Sequence, residues 1–178
     1  MNRLKEKYIK EIAPKITKEF KLSNVMEVPK VIKIHVNAGI GSFRENKEAV
    51  ESFVYDLEAL SLQKPYMRTA RLSEAGFKIR KGDMVGYAVT LRGERMWAFL
   101  DKLINIALPR VRDFRGLSEK SFDGNGNYSI GIKEHVIFPE VNVNTTKGIR
   151  NMQVTIVLSS KNVEMNKALL KALGMPLK

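Results

Sequence analysis

Residues 75–97, AGFKIRKGDMVGYAVTLRGERMW, limit the fold more than any other part of the chain. Polarity there repeats every second residue. Phe77 and Ile79 alternate with Lys78 and Arg80, and Lys81, Gly82 and Asp83 then supply turn chemistry. Gly86 opens a second run, in which Tyr87, Val89 and Leu91 alternate with Ala88, Thr90 and Arg92. Successive side chains of a strand point to opposite faces, so each run predicts a strand with one apolar and one polar or basic face. Gly93 breaks the second strand, and from Trp97 the apolar spacing becomes helical. A half-buried sheet that keeps lysine, arginine and threonine in solvent suits an anionic partner.

The same alternation returns twice. Over residues 31–37 it assigns Ile32, Ile34 and Val36 to the core and Lys33, His35 and Asn37 to the open face. Over residues 152–158 it turns Met152, Val154, Ile156 and Leu158 inward, with Gln153 and Thr155 outward. Residues 62–71 (LQKPYMRTAR) read as an edge strand, because Pro65 cannot donate to an inner ladder. Residues 69–77 are expected to form an extended, mobile loop.

Helices account for most of the rest. Residues 3–22 carry Leu4, Tyr8, Ile12, Ile16 and Phe20 at four-residue spacing, with Ile9 and Ala13 beside them. Pro14 should kink or split that helix. Its wet side offers Arg3, Lys5, Lys7, Lys10, Lys15 and Lys18, either a solvated face or an RNA contact. Ser42-Phe43-Arg44-Glu45 has the spacing of a capping box, although the cap could fall a few residues later. The helix that follows buries Val50, Phe53, Val54, Leu57 and Leu60, and its polar positions are mostly acidic: Glu45, Glu48, Glu51, Asp56 and Glu58. A third, over about residues 94–107, packs Trp97, Leu100, Leu103 and Ile104 and stops at Pro109. The last packs Val163, Leu169, Leu170 and Leu173, with Gly174 as its stop and Pro176 beyond. Residues 130–147 are expected to be irregular. Basic strand faces and one acidic helix describe a two-sided molecule, with the sheet toward the partner and helices behind.

Charge agrees with that picture. Lysine and arginine number 31 against 19 acids, a net charge of +12, which favours nucleic acid or an anionic membrane surface. The 178 residues suffice for one domain, residues 1–178, with a core that needs no staples. The absence of cysteine excludes disulfides and thiolate metal sites. No apolar run is long enough to span a bilayer. The first fifteen residues have neither a signal core nor the acid-poor composition of a transit peptide, so a soluble cytoplasmic chain is expected.

Sites of chemistry are harder to find. Gly39-Ile40-Gly41 follows a predicted strand, but Arg44 stands where a dinucleotide-binding loop needs its third glycine. Asp123, Asn125, Asn127 and Glu134 have the spacing of a calcium loop, yet Tyr128 occupies its required glycine, so DGNGN reads as a turn. His35 and His135 have no metal-ligand spacing, and GxSxG, P-loop and HExxH motifs are absent. No enzyme activity, cofactor or metal is expected. Arg110, Arg112 and Arg115 surround Phe114, a group that serves as a solvated loop or meets phosphates or an acidic protein surface.

ITKEF, VPKV, QKP, ARxSxAGFKIRxG, VTLRGERMW, LPRVRDFRGL, SFDGNGNYSIG and a late VTI occur in this order. In that series the chain resembles the universal large-subunit ribosomal protein that binds 5S rRNA, in its bacterial form, over about residues 4–176. The resemblance implies an α+β fold, an antiparallel β-sheet with α-helices packed on one face and the open polar face holding RNA. It implies 5S rRNA contacts at Lys33, Asn37, Gln63, Thr90 and Arg92, four of which the alternation independently puts on polar faces. Lysine and arginine would neutralise phosphates, while Asn37, Gln63 and Thr90 can bond ribose hydroxyls and base edges of splayed nucleotides. The loop over residues 71–82, with Arg71, Ser73, Gly76, Phe77, Lys78, Arg80 and Lys81, would reach P-site tRNA. Leu72 and Glu74 in it, and Leu62, Tyr66 and Arg68 upstream, depart from the family pattern. The excursion over residues 110–147, with Arg110, Arg112 and Arg115, would bridge to a small-subunit head protein. Further implied partners are 23S-type rRNA and other central-protuberance proteins. A stand-alone RNA-binding regulator using the same face is the alternative.

Overall fold

The computed structural model describes residues 2–142 and 146–178. Five strands form one antiparallel sheet in the order β2-β3-β1-β5-β4, and with the helices they make an α+β fold. The strands are β1 (Val31–Gly39), β2 (Tyr66–Thr69), β3 (Met84–Leu91), β4 (Tyr128–Ile132) and β5 (Met152–Leu158). Two compact units divide the chain, and the division falls inside strands. The first unit comprises Met1–His35, Leu91–Ile130 and Val154–Lys178; the second comprises Val36–Thr90 and Gly131–Gln153.

In the first unit the N-terminal helix is one run in three pieces: α1 (Arg3–Lys7), a π-type turn (Tyr8–Ile12) and α2 (Ala13–Glu19). Pro14 lacks an N–H, and its ring crowds the carbonyl four residues earlier; the widened turn before it takes up both misfits. The same device recurs. Helix α4 (Gly93–Lys102) passes into a π-type turn (Leu103–Ala107) directly before the 3₁₀ segment that contains Pro109. Tyr8 leans on Trp97 with ring centroids 5.7 Å apart, Arg3 pairs with Asp101 at 3.1 Å and Lys5 with Glu94 at 2.7 Å. Trp97 is core, as its helical spacing predicts. Ile9, expected beside the apolar stripe, is exposed. Helix α5 (Val163–Leu173) starts at Asn162, whose side chain accepts from the Glu164 and Met165 amides, and stops at Gly174 in the left-handed region. Met165, Leu169, Leu170 and Leu173 form its buried stripe, and Val163 is only half-buried.

In the second unit α3 (Lys47–Ser61) is capped by Asn46, whose side chain accepts from the Ala49 amide. The true cap therefore lies one residue beyond the Ser42–Glu45 box. Phe43, Phe53 and His135 pack edge to face, and the Arg150 guanidinium lies 3.9 Å from the centre of the Phe43 ring. Strand β2 pairs antiparallel with β3 and all four of its side chains are exposed, as an edge strand after Pro65 should be.

Three strand expectations change. Residues 77–80 are not a strand: Ala75–Phe77 is a 3₁₀ turn and Lys78 is left-handed. Four alternating residues are too few to fix a strand when their partner is only a Glu74–Ile79 bridge. Ile32 is exposed and Val31 is buried, because two adjacent apolar residues leave the start of the alternation open. Ala88 is buried although its face is the polar one, and Tyr87 is half-buried. An alanine on an inner strand is short enough to be covered by its neighbours. Residues 130–147 hold the end of β4 and a 3₁₀ turn (His135–Ile137), with residues 143–145 outside the described set. No helix among the described residues is long and apolar enough to cross a membrane.

Candidate nucleic-acid interface

Strand β1 buries Ile34, Val36 and Ala38 and leaves Asn37 exposed, with Lys33 and His35 half-buried between the core residues. On β3, Thr90 is half-buried between the buried Val89 and Leu91, and Arg92 is exposed directly after the strand. Within the second unit β1 and β3 run unusually close. The Ile40 amide donates to the Val85 carbonyl at 3.1 Å, and a Cβ on Gly86 would stand 2.6 Å from the Ala38 carbonyl oxygen. Only glycine fits there. Gln63 is half-buried just after α3, where Leu62 closes the helix at φ +53° and the Ser61 hydroxyl meets the Gln63 carbonyl at 2.9 Å.

The loop over residues 71–82 is more ordered by its own bonds than an extended segment would be. Glu74 and Ile79 exchange backbone hydrogen bonds (2.9 and 3.1 Å), the Lys81 amide donates to the Ser73 hydroxyl (2.9 Å) and the Gly82 amide to the Ala70 carbonyl (2.9 Å). Asp83 accepts from the Arg80 amide at 2.9 Å. Arg71, Ser73, Gly76, Phe77, Lys78, Arg80 and Lys81 are all exposed, as are Leu72 and Glu74. Phe77 is 76% exposed, a large apolar surface among cations.

Arg110, Arg112 and Arg115 are also exposed, and Phe114 is half-buried. The segment after them is fastened: the Leu117 amide donates to the Pro176 carbonyl and the Tyr128 hydroxyl to the Ser118 carbonyl, both at 2.8 Å. Burial pushes the Tyr128 phenol above its usual range. Glu119 is held below the usual carboxylate range by Lys171 and Lys167, which lie 2.7 and 3.2 Å away. DGNGN is a turn. Asp123 accepts from the Asn127 side-chain amide (2.9 Å) and from the backbone amides of Asn127 and Asn125, which lower its pKa in that order.

Residues 84–177 match the C-terminal model of the ribosomal protein L5 family, and residues 24–80 match its companion model, Ribosomal protein L5. Large ribosomal subunit protein uL5 of Rippkaea orientalis is 53% identical over 174 residues, 98% of this chain and 97% of the relative. That of Thermoanaerobacter sp. is 53% identical over 176 residues, covering 99% and 98%. The chain belongs to the uL5 family. It is thus a structural protein of the large ribosomal subunit and of translation, not an enzyme. The two family matches divide the expected contacts. Lys33, Asn37, Gln63 and the loop through Arg80 fall in the first match, and Thr90, Arg92 and the three arginines in the second. Lys81 sits between them.

The alternation and helix patterns of this uL5-family chain do not reveal one buried polar pair. Asp56, assigned to a wet acidic face, is buried on α3. Its carboxylate lies 3.2 Å from His135 Nε2 and accepts from the Thr146 hydroxyl at 2.9 Å. The other ring nitrogen of His135 accepts from the Arg150 amide at 3.1 Å, so the proton of the neutral ring sits on Nε2 and points at Asp56. The two are 79 residues apart in sequence, and only an acid in a helix whose neighbours are apolar could have signalled them.

Proposed function

We propose that the chain binds 5S rRNA on the open face of its sheet, through Lys33, Asn37, Gln63, Thr90 and Arg92, and anchors it in the central protuberance. The observation that carries this reading is the exposure pattern of β1 and β3. Asn37 and Arg92 are exposed, and Lys33 and Thr90 half-buried, while Ile34 and Val36 in β1 and Val89 and Leu91 in β3 form core. Half-buried polar groups have restricted rotamers, which favours reading of ribose and base edges over mere charge neutralisation. The loop over residues 71–82 contacts P-site tRNA, and Arg110, Arg112 and Arg115 face a small-subunit head protein. Further contacts go to 23S-type rRNA and neighbouring central-protuberance proteins, and residues 1–178 act as one domain.

The double substitution Asn37→Ala, Thr90→Ala tests the assignment. Affinity for 5S rRNA should fall by more than that for a size-matched unrelated RNA, since only the specific complex uses these two groups. An equal fall for both RNAs would remove them from specific readout.

A further inference from the structure

Arg44 belongs to none of the contacts described above. It follows β1 in the chain, its side chain is only 27% exposed, and it reaches across to the 71–82 loop. Its Nη2 donates to the Lys78 carbonyl at 3.2 Å, and its Nη1 lies 3.7 Å from the Asp83 carboxylate. These two partners carry particular weight. Lys78 is a non-glycine residue at φ +52°, a conformation that local packing must hold in place. Asp83 is the residue whose carboxylate ties down the Arg80 amide. One planar guanidinium therefore holds the tip of the loop and its closing residue together, through two nitrogens of a rigid, preorganised fork.

We infer that Arg44 is a positioning residue that holds the 71–82 loop in one fold before any partner arrives. With Arg44 in place, Phe77, Lys78 and Arg80 are displayed from a closed turn, and binding need not order the segment. The consequence for tRNA rests on the reading above; the folded state of the loop does not.

The test is amide hydrogen exchange on the free, full-length protein, with Arg44→Ala and Asp83→Asn compared to wild type. Far-UV circular dichroism and the melting temperature check that each variant is folded. In wild type the Ile79, Arg80, Lys81 and Gly82 amides should be protected relative to the Gly76 amide. Arg44→Ala should lower that protection by about three- to tenfold, the scale of one lost hydrogen bond. Asp83→Asn retains an acceptor for Arg80 but loses the ion pair, and should have a smaller effect in the same direction. Unprotected loop amides in wild type, or protection unchanged in Arg44→Ala, would overturn the inference. Affinities for tRNA and 5S rRNA are measured on the same samples. Loss of tRNA affinity with 5S rRNA affinity retained supports both readings. Lowered protection with tRNA affinity unchanged leaves the positioning role standing and removes the tRNA contact instead.

Discussion

At Gly86 a methyl group would meet the Ala38 carbonyl oxygen at 2.6 Å, and neither atom belongs to a flexible side chain that could yield. Gly86→Ala should therefore cost about 1–3 kcal/mol, the range for overpacking a well-filled site. Urea unfolding measures it, and the transition should be single if residues 1–178 form one domain. Leu62 is the opposite case. It is 65% exposed at φ +53°, so its side chain adds little packing while its Cβ strains the helix stop. Leu62→Gly should stabilise by roughly 0.5–1 kcal/mol, since relief of left-handed strain exceeds the extra freedom of the unfolded chain. A lower urea midpoint in that variant would mean that Leu62 is packed after all.

Elements differ in how much of them can be read in advance. The seven residues of β5 alternate without a break, and their burial follows that alternation from Met152 to Leu158. Helix α5 is equally legible, because an apolar stripe and Gly174 agree on where it runs and ends. The expected strand over residues 77–80 does not form because its pattern is short and local turn energetics outweigh it. The π-type turns before Pro14 and Pro109 answer a proline whose presence is legible but whose remedy is not: kink, break and widened turn all relieve the same clash. Asp56 and His135 can be read singly but not as a pair.

The DGNGN turn yields a prediction at this scale. Its hydrogen bonds hold Asp123 below the usual carboxylate range, so the folded protein keeps the charge to lower pH than the unfolded chain does. That contribution is complete above the unfolded value of about 4 and fades as pH falls through the lower folded value. The stability gap between wild type and Asp123→Ala should accordingly narrow as the pH falls below the unfolded value and through the lower folded one. A gap that widens on acidification would contradict the assigned charge state.

For the molecule as a whole, a charge of +12 guarantees attraction to any RNA, and attraction alone says nothing about a site. The four polar-face positions, Lys33, Asn37, Thr90 and Arg92, can be proposed from alternation alone. Gln63 cannot, because it lies in a connection without periodicity, and it enters only through family resemblance. The uL5 family match over almost the whole chain makes a ribosomal role secure and leaves the residue-level contacts to experiment.

The most direct measurement is competition binding of the purified protein to 5S rRNA against a size-matched unrelated RNA, repeated at rising salt. Charge neutralisation at 6 to 10 phosphates loses roughly three to five decades of affinity between about 50 and 200 mM salt, by the behaviour of duplex DNA. With a shaped site on the sheet, both affinities should fall while the preference for 5S rRNA persists, because hydrogen bonds from that face do not depend on released counterions. Equal binding to both RNAs, erased together by salt, would contradict such a site.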